Sequence, residues 1–442
     1  MPYLVHSPED RSEMLAAIGV ESMEALLSDI PARLRIQGLD LPAGLSEAEA
    51  MGRIRALAAR NRTFEDRLTF RGGGVYRRFI PAAVAAVTSK GEFYTAYTPY
   101  QPEASQGWLQ AIFEFQTMIA ELTGMDVANA SLYDGATAVA EAAMMAVVQT
   151  GRDKVLVAGY LHPEYEETLR GFAKGRKFHV LHHPSSAGVV DPGSIEKELH
   201  EGIAAVIFQQ PNFLGLVEDA AALTAAAHTH GALAIACVDP ISLAVLAAPG
   251  EYGADIAVGE GQQLGLAPSF GGPHVGFMAC RTELVRRLPG RLVGQAFDHR
   301  DRRGYVLTLQ AREQHIRREK ATSNICTNHA LCALAATVYL AYMGPDGLRS
   351  VAGTSLSRAH HLSERLAALP GFSPAFPRAS FLSEFPLRVD QPEALLSRLS
   401  ERGILGGLDA GRWFPELAGV LLFCCTELND PGALDELVEA CS

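Results

Sequence analysis

The stretch "AAVIFQQPNFLGLVEDAAALTAAAHTHGALAIACVDP", from Ala204 to Pro240, contains two apolar segments separated by an alanine-rich one. The apolar segments are typical of buried strands, and the alanine-rich segment has good helix composition. Strand, helix and strand in this order are the pattern of parallel strands joined by a crossover helix. The stretch therefore predicts a mostly parallel sheet with helices on both faces.

The same alternation continues on both sides of this stretch. Upstream, "KVLVAG" (154–159) and "KFHVLHH" are predicted strands, and "PEYEETLRGFA" and "GSIEKELHEG" are predicted helices. Downstream, "ADIAVGEGQQLGLAPSFGGPHVGF" is predicted to form a strand, a glycine-rich turn and another strand. Two strong helical patterns, "WLQAIFEFQTMIAELTGM" and "GATAVAEAAMMAVVQT", come before them. We expect one large α/β domain over residues 81–345.

Two further regions flank this domain. Residues 1–80 are predicted to form a helical arm, because Ser7 and Ser46 are good N-caps in front of helical patterns. Residues 346–442 are predicted to form a smaller α/β domain. Its expected elements are the helix "SLSRAHHLSERLAAL", the strand "FLSEFPLRV", the helix "PEALLSRLSERG", the strand "GVLLFCCTE" and the helix "DPGALDELVEAC".

Composition narrows the class of protein. The net charge of −12 argues against general nucleic-acid binding. The N-terminus lacks a basic start with an apolar run, and no eighteen apolar residues are consecutive, which predicts a cytoplasmic chain without a membrane segment. Cys326 and Cys332 lie six apart without a second pair, and His228 and His230 face different directions on a helix. We therefore expect no metal site.

Three strand ends are expected to share one crevice, because ligands of such sheets bind beyond the carboxyl ends of the strands. They are Gly159 to His162, Gln209 to Asn212, and Val238 to Pro240. His162 is a candidate to stack on a cofactor ring or to transfer a proton, although histidine before proline at a strand end is as readily structural.

The order of motifs along the chain resembles a pyridoxal phosphate site. Ser131, Asp134 and Thr137 surround a helix start that is suited to an anion, with helix capping by Asp134 as the alternative. Asp239 ends a strand. Its carboxylate is a candidate to pair with the protonated ring nitrogen of pyridoxal phosphate, and capping of a loop is the alternative. The following glycine-rich turn should then carry a Schiff-base lysine, but Gln262 and Gln263 are found there. A catalytic site of this type is incomplete in this chain.

A basic segment precedes the long apolar helix pattern after residue 329. It contains Arg317, Arg318 and Lys320, followed by Thr322, Ser323 and Asn324. One interpretation is a solvated segment with Ser323 or Asn324 as the N-cap; the other is contact with an anion or an acidic partner. Only six lysines are present in the chain.

The segment "FYTAYTPYQPEASQG" (93–107) combines three tyrosines and two prolines with almost no aliphatic residues. This composition excludes an amphipathic helix or a buried strand and predicts an ordered loop. Tyrosine supplies an aromatic face and a hydroxyl together, so the loop is a candidate for lining a pocket. A packing loop or a dimer contact is the alternative.

Several stretches together resemble one known family. "YTPYQPEASQG", "NASLYDGATAVAEA", "GADIAVGEGQQLG", "REKATSNICTN" and "GILGGLDAGRWFPEL" are similar to the N-terminal half of glycine dehydrogenase (decarboxylating), the pyridoxal-dependent P-protein of the glycine cleavage system. The resemblance covers essentially the whole chain. It implies an aspartate-aminotransferase-like fold of PLP fold type I. It also implies decarboxylation of glycine on pyridoxal phosphate and transfer of the aminomethyl group to the lipoyl arm of H-protein.

The resemblance further implies a two-subunit form in which this chain lacks the lysine. A homologous second subunit would hold pyridoxal phosphate covalently, in a hetero-oligomer of two plus two chains, and this chain alone would have no catalytic residue. By match to family motifs, ten residues are expected to line the substrate cavity or lipoyl channel: Tyr97, Tyr100, Gln101, Ser131, Tyr133, Asp134, Arg318, Lys320, Thr322 and Ser323. Two alternatives are a self-sufficient pyridoxal enzyme that uses Lys320 or Lys154, and a non-catalytic scaffold.

Overall fold

The computed structural model describes residues 6–36, 38–64 and 66–442. They belong to two units, Met1–Arg62 and Thr63–Ser442. The first unit contains the helices α1 (Pro8–Ile18), α2 (Met23–Leu26) and α3 (Glu47–Ala58). Both predicted N-caps are confirmed, because the hydroxyls of Ser7 and Ser46 accept the amide protons of Asp10 and Glu49. Each cap also forms a reciprocal capping box, which satisfies two orphan donors at once.

The second unit contains the remaining elements. In chain order they begin with β1 (Leu68–Thr69), α4 (Ala82–Thr88), α5 (Gly91–Tyr94), α6 (Gln106–Thr123), β2 (Val127–Ala128) and α7 (Gly135–Thr150). They continue with β3 (Lys154–Ala158), α8 (Pro163–Arg176), β4 (His179–His183), α9 (Pro192–Ile195), β5 (Ile203–Gln210), α10 (Ala220–Thr229), β6 (Leu233–Val238), β7 (Ile256–Glu260) and β8 (Gly276–Cys280). They end with β9 (Val293–Phe297), β10 (Arg303–Leu307), α11 (Gln314–Arg317), α12 (Ala330–Ala367), β11 (Phe372–Pro374), β12 (Glu384–Val389), α13 (Pro392–Glu401), β13 (Ile404–Leu405), β14 (Leu408–Asp409), β15 (Val420–Cys424) and α14 (Pro431–Cys441).

The central sheet confirms the predicted mostly parallel architecture. Its seven strands are ordered β2-β8-β7-β6-β5-β3-β4. The strands from β7 through β4 pair in parallel, whereas β8 is antiparallel to both of its neighbours. Because all the parallel strands point the same way, their carboxyl ends lie at one edge of the sheet, which is where the crevice is expected.

The two faces of the sheet have separate cores, as the period-two geometry of strands requires. Along β5, Val206 and Phe208 face one core together with residues of α6, α10 and α12. Ala205 and Ile207 face the other core together with α7, whose residues from Ala138 to Ala146 are all buried. Helix α7 is therefore fixed on one face of the sheet, with its first residue, Gly135, at the crevice edge.

The C-terminal part of the chain forms a four-stranded antiparallel sheet, ordered β11-β12-β15-β14. Its core also receives α13, α14 and the C-terminal turns of α12. The strands and helices predicted after residue 345 are thus confirmed. Strand β1 pairs in parallel with β13. The domain boundaries at residues 80 and 345 stay predictions.

Helix α12 is interrupted at Gly344, whose φ of 58° and ψ of −176° are not helical, directly before Pro345. By length and composition, α12 is the one helix among the described residues that is long and apolar enough to cross a membrane. Its inward residues Ala333, Ala336 and Tyr339 instead pack in the core beneath the sheet. These contacts identify it as a core helix of the second unit.

Two predictions about local structure are wrong. The expected helix over 193–202 is shortened to α9. The side chains of Ser194 and Glu198, which belong to this segment, instead hydrogen-bond to the His183 ring of β4. Tertiary contacts of this kind override helix propensity. Helix α12 begins at Ala330 with His329 as its N-cap, so neither Ser323 nor Asn324 caps it.

Candidate active site

The predicted crevice is present at the carboxyl edge of the sheet. His162, Gln209 and Asp239 come from the three predicted strand ends and line one small cavity. The backbone N–H of His162 also donates to Oε1 of Gln209 at 2.8 Å, which ties two of these ends together. The convergence of the strand ends is therefore confirmed.

Asp239 occupies the predicted strand-end position, but its partners are parts of this chain. Its Oδ1 accepts from Nε2 of Gln263 at 2.8 Å and from the backbone N–H of Ile241 at 2.9 Å. Burial raises the pKa of Asp239, and the nearby Arg78 guanidinium opposes this shift. The carboxylate that would meet a cofactor ring nitrogen is thus already hydrogen-bonded to a side-chain amide.

Gln262 and Gln263 are 0% and 3% exposed, and each uses both ends of its amide. Gln262 accepts from the backbone N–H of Tyr76 at 2.9 Å and donates to the carbonyl of the same residue at 3.0 Å. Gln263 accepts from Nε of Arg78 at 2.9 Å while it donates to Asp239. Burying these amides without partners would be costly, so the hydrogen bonds explain why glutamine fits this turn. Of the two residues, Gln263 lines the crevice.

The start of α7 holds a carboxylate that sequence reasoning missed. Oε2 of Glu260 accepts from the backbone N–H of Gly135 at 2.9 Å and lies 3.2 Å from Nδ1 of His274. Oε1 of Glu260 accepts from the backbone N–H groups of Gln262 and Val275 at 2.9 and 3.1 Å. The hydrogen bond that His274 donates to Glu260, aided by the carboxylate charge, raises the pKa of His274 against desolvation. A helix N-terminus favours an anion, and here Glu260 provides it. The signal was a glutamate at the end of an otherwise apolar strand.

Asp134 is the N-cap of α7, as the capping interpretation predicted. Its Oδ1 accepts the backbone N–H of Thr137 at 2.7 Å, and the Thr137 hydroxyl completes a capping box. Asp134 and Glu260 thus accept two of the free N–H groups at this helix start, those of Thr137 and Gly135.

His162 has a structural environment. It is buried, its ring stacks on Tyr165 with centroids 4.4 Å apart, and its edge meets Phe213. Nδ1 accepts from the backbone N–H of Glu164 at 3.2 Å, so Nε2 carries the proton and donates to the carbonyl of Gly73 at 3.0 Å. Burial lowers the pKa of His162. Both ring nitrogens are therefore occupied by backbone groups.

The crevice does not fit pyridoxal phosphate. Its free volume is about 40 Å³, which is room for a few water molecules, whereas pockets for organic ligands measure several hundred Å³. The lysine position holds glutamine, Glu260 occupies the anion position of α7, and Asp239 is bonded to Gln263.

The tyrosine loop lies outside this crevice. Tyr97 and Tyr100 are 71% and 75% exposed, and their rings are 6.3 Å apart. Gln101 is also exposed. Between them, Thr98 is buried and its hydroxyl accepts a hydrogen bond from the guanidinium of Arg291. The loop is thus anchored from below and presents its aromatic and amide groups outward.

Ser131 and Tyr133 meet the start of α12. The Ser131 hydroxyl accepts from the backbone N–H of His329 at 3.0 Å, and its carbonyl accepts from the side-chain amide of Asn328. Tyr133 lies against the His329 ring at 5.3 Å, and Nδ1 of His329 lies 2.7 Å from the carbonyl of His274. Asn328 and His329 are therefore further members of this cluster. Asn328 is the last residue of the motif "REKATSNICTN", and His329 follows it directly.

The four remaining candidates lie along or beyond α7. Lys320 and Thr322 line a cavity beside Val147 and Val148, at the C-terminal end of α7. Ser323 lies near Glu141 in the middle of α7; burial raises the pKa of Glu141 to about 7, and Ser323 acts to lower it. Arg318 is exposed. With 1.5 Å per helical residue, Val147 lies roughly 18 Å from Gly135, so Lys320 and Thr322 are remote from the Asp239 crevice.

Comparisons with known proteins agree with this fold and these motifs. The family model described as glycine cleavage system P-protein matches residues 1–437. A protein of Moorella thermoacetica, named probable glycine dehydrogenase (decarboxylating) subunit 1, is 52% identical over 442 residues and is covered to 99%. A protein of Chlorobium luteolum with the same name is 48% identical over 447 residues and is also covered to 99%. Both alignments include 100% of this chain.

Solved structures place the fold. The crystal structure of a glycine decarboxylase (P-protein) of the glycine cleavage system, in inhibitor-bound form, has a TM-score of 0.90 and 47% identity, and covers 100% of this chain and 99% of its own. An aspartate aminotransferase of Thermus thermophilus has a TM-score of 0.58 and 16% identity, and covers 84% of this chain and 97% of its own. This likeness supports the fold and nothing further. The predicted PLP fold type I is confirmed. The chain therefore belongs to the glycine cleavage system P-protein family, as an enzyme subunit of the subunit 1 type.

Proposed function

We propose that this chain is the lysine-free subunit of a two-subunit glycine decarboxylase. A related second chain holds pyridoxal phosphate covalently, and this chain completes the substrate pocket across the interface between them. The observation that carries the proposal is the closed crevice, where Gln263 bonds to Asp239 and Glu260 bonds to the start of α7. The name subunit 1 on the relatives supports a second subunit.

The residues that this chain contributes are proposed to belong to one exposed loop and to one buried cluster beside α12. Tyr97, Tyr100 and Gln101 present hydroxyl, aromatic and amide groups on an anchored loop, which suits binding and orienting a small polar substrate. Ser131 and Tyr133, beside His329, form a second cluster that is fixed by hydrogen bonds to α12. We propose that the two clusters line the substrate cavity or the channel for a lipoyl arm.

The wider setting is also proposed. The substrate is glycine, the acceptor of its aminomethyl group is the lipoyl arm of H-protein, and the assembly contains two copies of each subunit. The complex works in the cytoplasm. Of the ten family-matched residues, Arg318, Lys320, Thr322 and Ser323 would act only if the partner's site extends along α7, because they lie away from the chain's own crevice.

A self-sufficient pyridoxal enzyme is disfavoured by the positions of its two candidate lysines. Lys154 is the first residue of β3, whereas the crevice lies beyond the other end, about 13 Å away at 3.3 Å per residue. Lys320 lies beside the C-terminal end of α7. Neither reaches Asp239.

The test uses the complex reconstituted with its second subunit and lipoylated H-protein. Tyr97→Ala is expected to lower the rate of glycine decarboxylation by about tenfold or more, because loss of substrate positioning is costly even without loss of a reacting group. Tyr97→Phe separates the hydroxyl from the ring. Size-exclusion chromatography checks that the variant complexes still assemble.

Tyr94→Ala is the matched control, since Tyr94 is an equally exposed tyrosine three residues upstream. It should leave the rate within about twofold of the wild-type rate. If Tyr97→Ala and Tyr100→Ala complexes both assemble and turn over at the wild-type rate, the loop has no part in the substrate pocket and the chain is a scaffold.

A further inference from the structure

A second cavity lies at the C-terminal end of α7. Its volume is about 460 Å³, which is within the range of pockets that bind small organic molecules. Met144, Val147 and Val148 of α7, together with Phe178, supply apolar wall. Six cationic side chains also line it: Arg176, Arg286, Arg287, Arg312, Arg317 and Lys320.

The charge of this cavity is opposite to that of the whole chain. Glu319 is the one acidic residue that lines it, although the chain carries a net charge of −12. Over residues 6–36, 38–64 and 66–442, none of the six cations lies within 4 Å of a carboxylate oxygen. Arg176 and Arg317 donate to the backbone carbonyls of Thr322 and Ala311. Those hydrogen bonds fix the side chains without neutralising them.

Arg312 is the most informative of the six. Its Nε and Nη2 have no contact with solvent and no hydrogen-bond partner within the described part of the chain. Desolvation lowers the pKa of Arg312, and Glu313 acts in the opposite direction. Buried guanidinium groups are normally paired, so a charge left in this state beside a cavity indicates a missing counter-ion.

We propose that this cavity binds a small molecule that carries more than one phosphoryl group. Guanidinium groups match phosphate oxygens in geometry and charge, and several arginines around one volume suit several phosphoryl groups better than one. The apolar wall leaves room for an organic body beside them. This site lies roughly 18 Å along α7 from the Asp239 crevice, and it does not depend on the proposed role of the tyrosine loop.

The experiment is isothermal titration calorimetry on the full chain at low ionic strength. Tripolyphosphate and ADP are the two probes, and together they distinguish an inorganic polyphosphate from a ligand with an organic body. We expect saturable binding of at least one, weaker binding of inorganic phosphate, and loss of affinity with added salt. Arg312→Gln and Arg287→Gln should each weaken binding by at least about tenfold.

Arg349→Gln is the control, because Arg349 is an exposed arginine on α12 outside the cavity. It should bind the probe as the wild type does. Arg287 is exposed, so its variant tests the site even if Arg312→Gln fails to fold. The proposal is overturned if neither probe binds, if Arg287→Gln and Arg349→Gln behave alike, or if a decaglutamate peptide displaces the probes at lower concentration than they bind, which indicates an acidic protein partner.

Discussion

Glu384 shows how one residue joins distant parts of the chain. Its Oε1 accepts from the backbone N–H of Gly73 at 2.6 Å, and its Oε2 accepts from the hydroxyl of Tyr76 at 2.7 Å. Burial raises the pKa of Glu384 to about 7, although both hydrogen bonds act to lower it. Sequence reasoning gave no role to Glu384, because its partners lie 308 and 311 positions away. Contacts of this kind depend on the finished fold.

This shift predicts a pH dependence of stability. The folded protein holds the Glu384 proton up to about pH 7, whereas an ordinary glutamate releases it near 4.5. Between these values the folded state binds more protons than the unfolded state, so the free energy of unfolding falls as pH rises. Glu384→Gln removes the contribution of this carboxyl to the pH dependence. We expect the loss of stability between pH 5 and pH 8 to shrink by roughly 2–3 kcal/mol, measured by urea denaturation.

Glu141 and Glu218, whose pKa values burial also raises to about 7, keep part of the dependence in the variant. Glu393→Gln, at an exposed position on α13, should leave the wild-type dependence unchanged. An unaltered pH dependence in Glu384→Gln would show that this carboxyl is ionised throughout.

At the scale of elements, sequence patterns predicted the sheet and most helices because those patterns are local. Strand β5 alternates between two cores, and α7 begins at a recognisable cap, Asp134. The same patterns did not predict which side chain binds the free N–H groups at the start of α7. Glu260 reaches Gly135 across 125 positions, and no spacing in the sequence reveals such a contact. The crevice was predictable from strand ends, but its closure was not.

The role of Glu260 is testable as an effect on stability. Its carboxylate accepts three backbone N–H groups and faces His274, whereas glutamine offers one acceptor oxygen and an N–H₂ group. Glu260→Gln should therefore lower the free energy of unfolding by about 2 kcal/mol or more. Glu251→Gln, at an exposed position with one hydrogen bond of 3.2 Å, should change it by less than about 0.5 kcal/mol. Equal effects in the two urea titrations would contradict this assignment.

At the scale of the whole molecule, the exposed tyrosine loop is a better candidate for contact with a substrate than the small internal crevice. The large sheet of a pyridoxal-type fold is complete, and its ligand edge is closed by the side chains of this chain. The tyrosine loop is exposed, whereas Ser131 is buried and hydrogen-bonded to the start of α12. Sequence motifs identified both groups of residues, but they did not show that the groups lie apart from Lys320 and Thr322, because separation along α7 is a property of the folded chain.

A lysine placed in the turn tests whether the missing anchor alone prevents cofactor binding. We expect Gln263→Lys to remain unlabelled when the chain is treated with pyridoxal phosphate and borohydride, because a free volume of about 40 Å³ cannot admit the cofactor and Glu260 already occupies the start of α7. In the reconstituted complex, mass spectrometry should find the reduced pyridoxyl group on the second subunit only, in wild type and variant alike. Gln110→Lys, on the exposed side of α6, controls for non-specific labelling of a new lysine. Labelling at position 263 above that control would mean that the crevice opens in solution, and that the loss of one amine, rather than the packing around Asp239, prevents covalent binding of the cofactor to this chain.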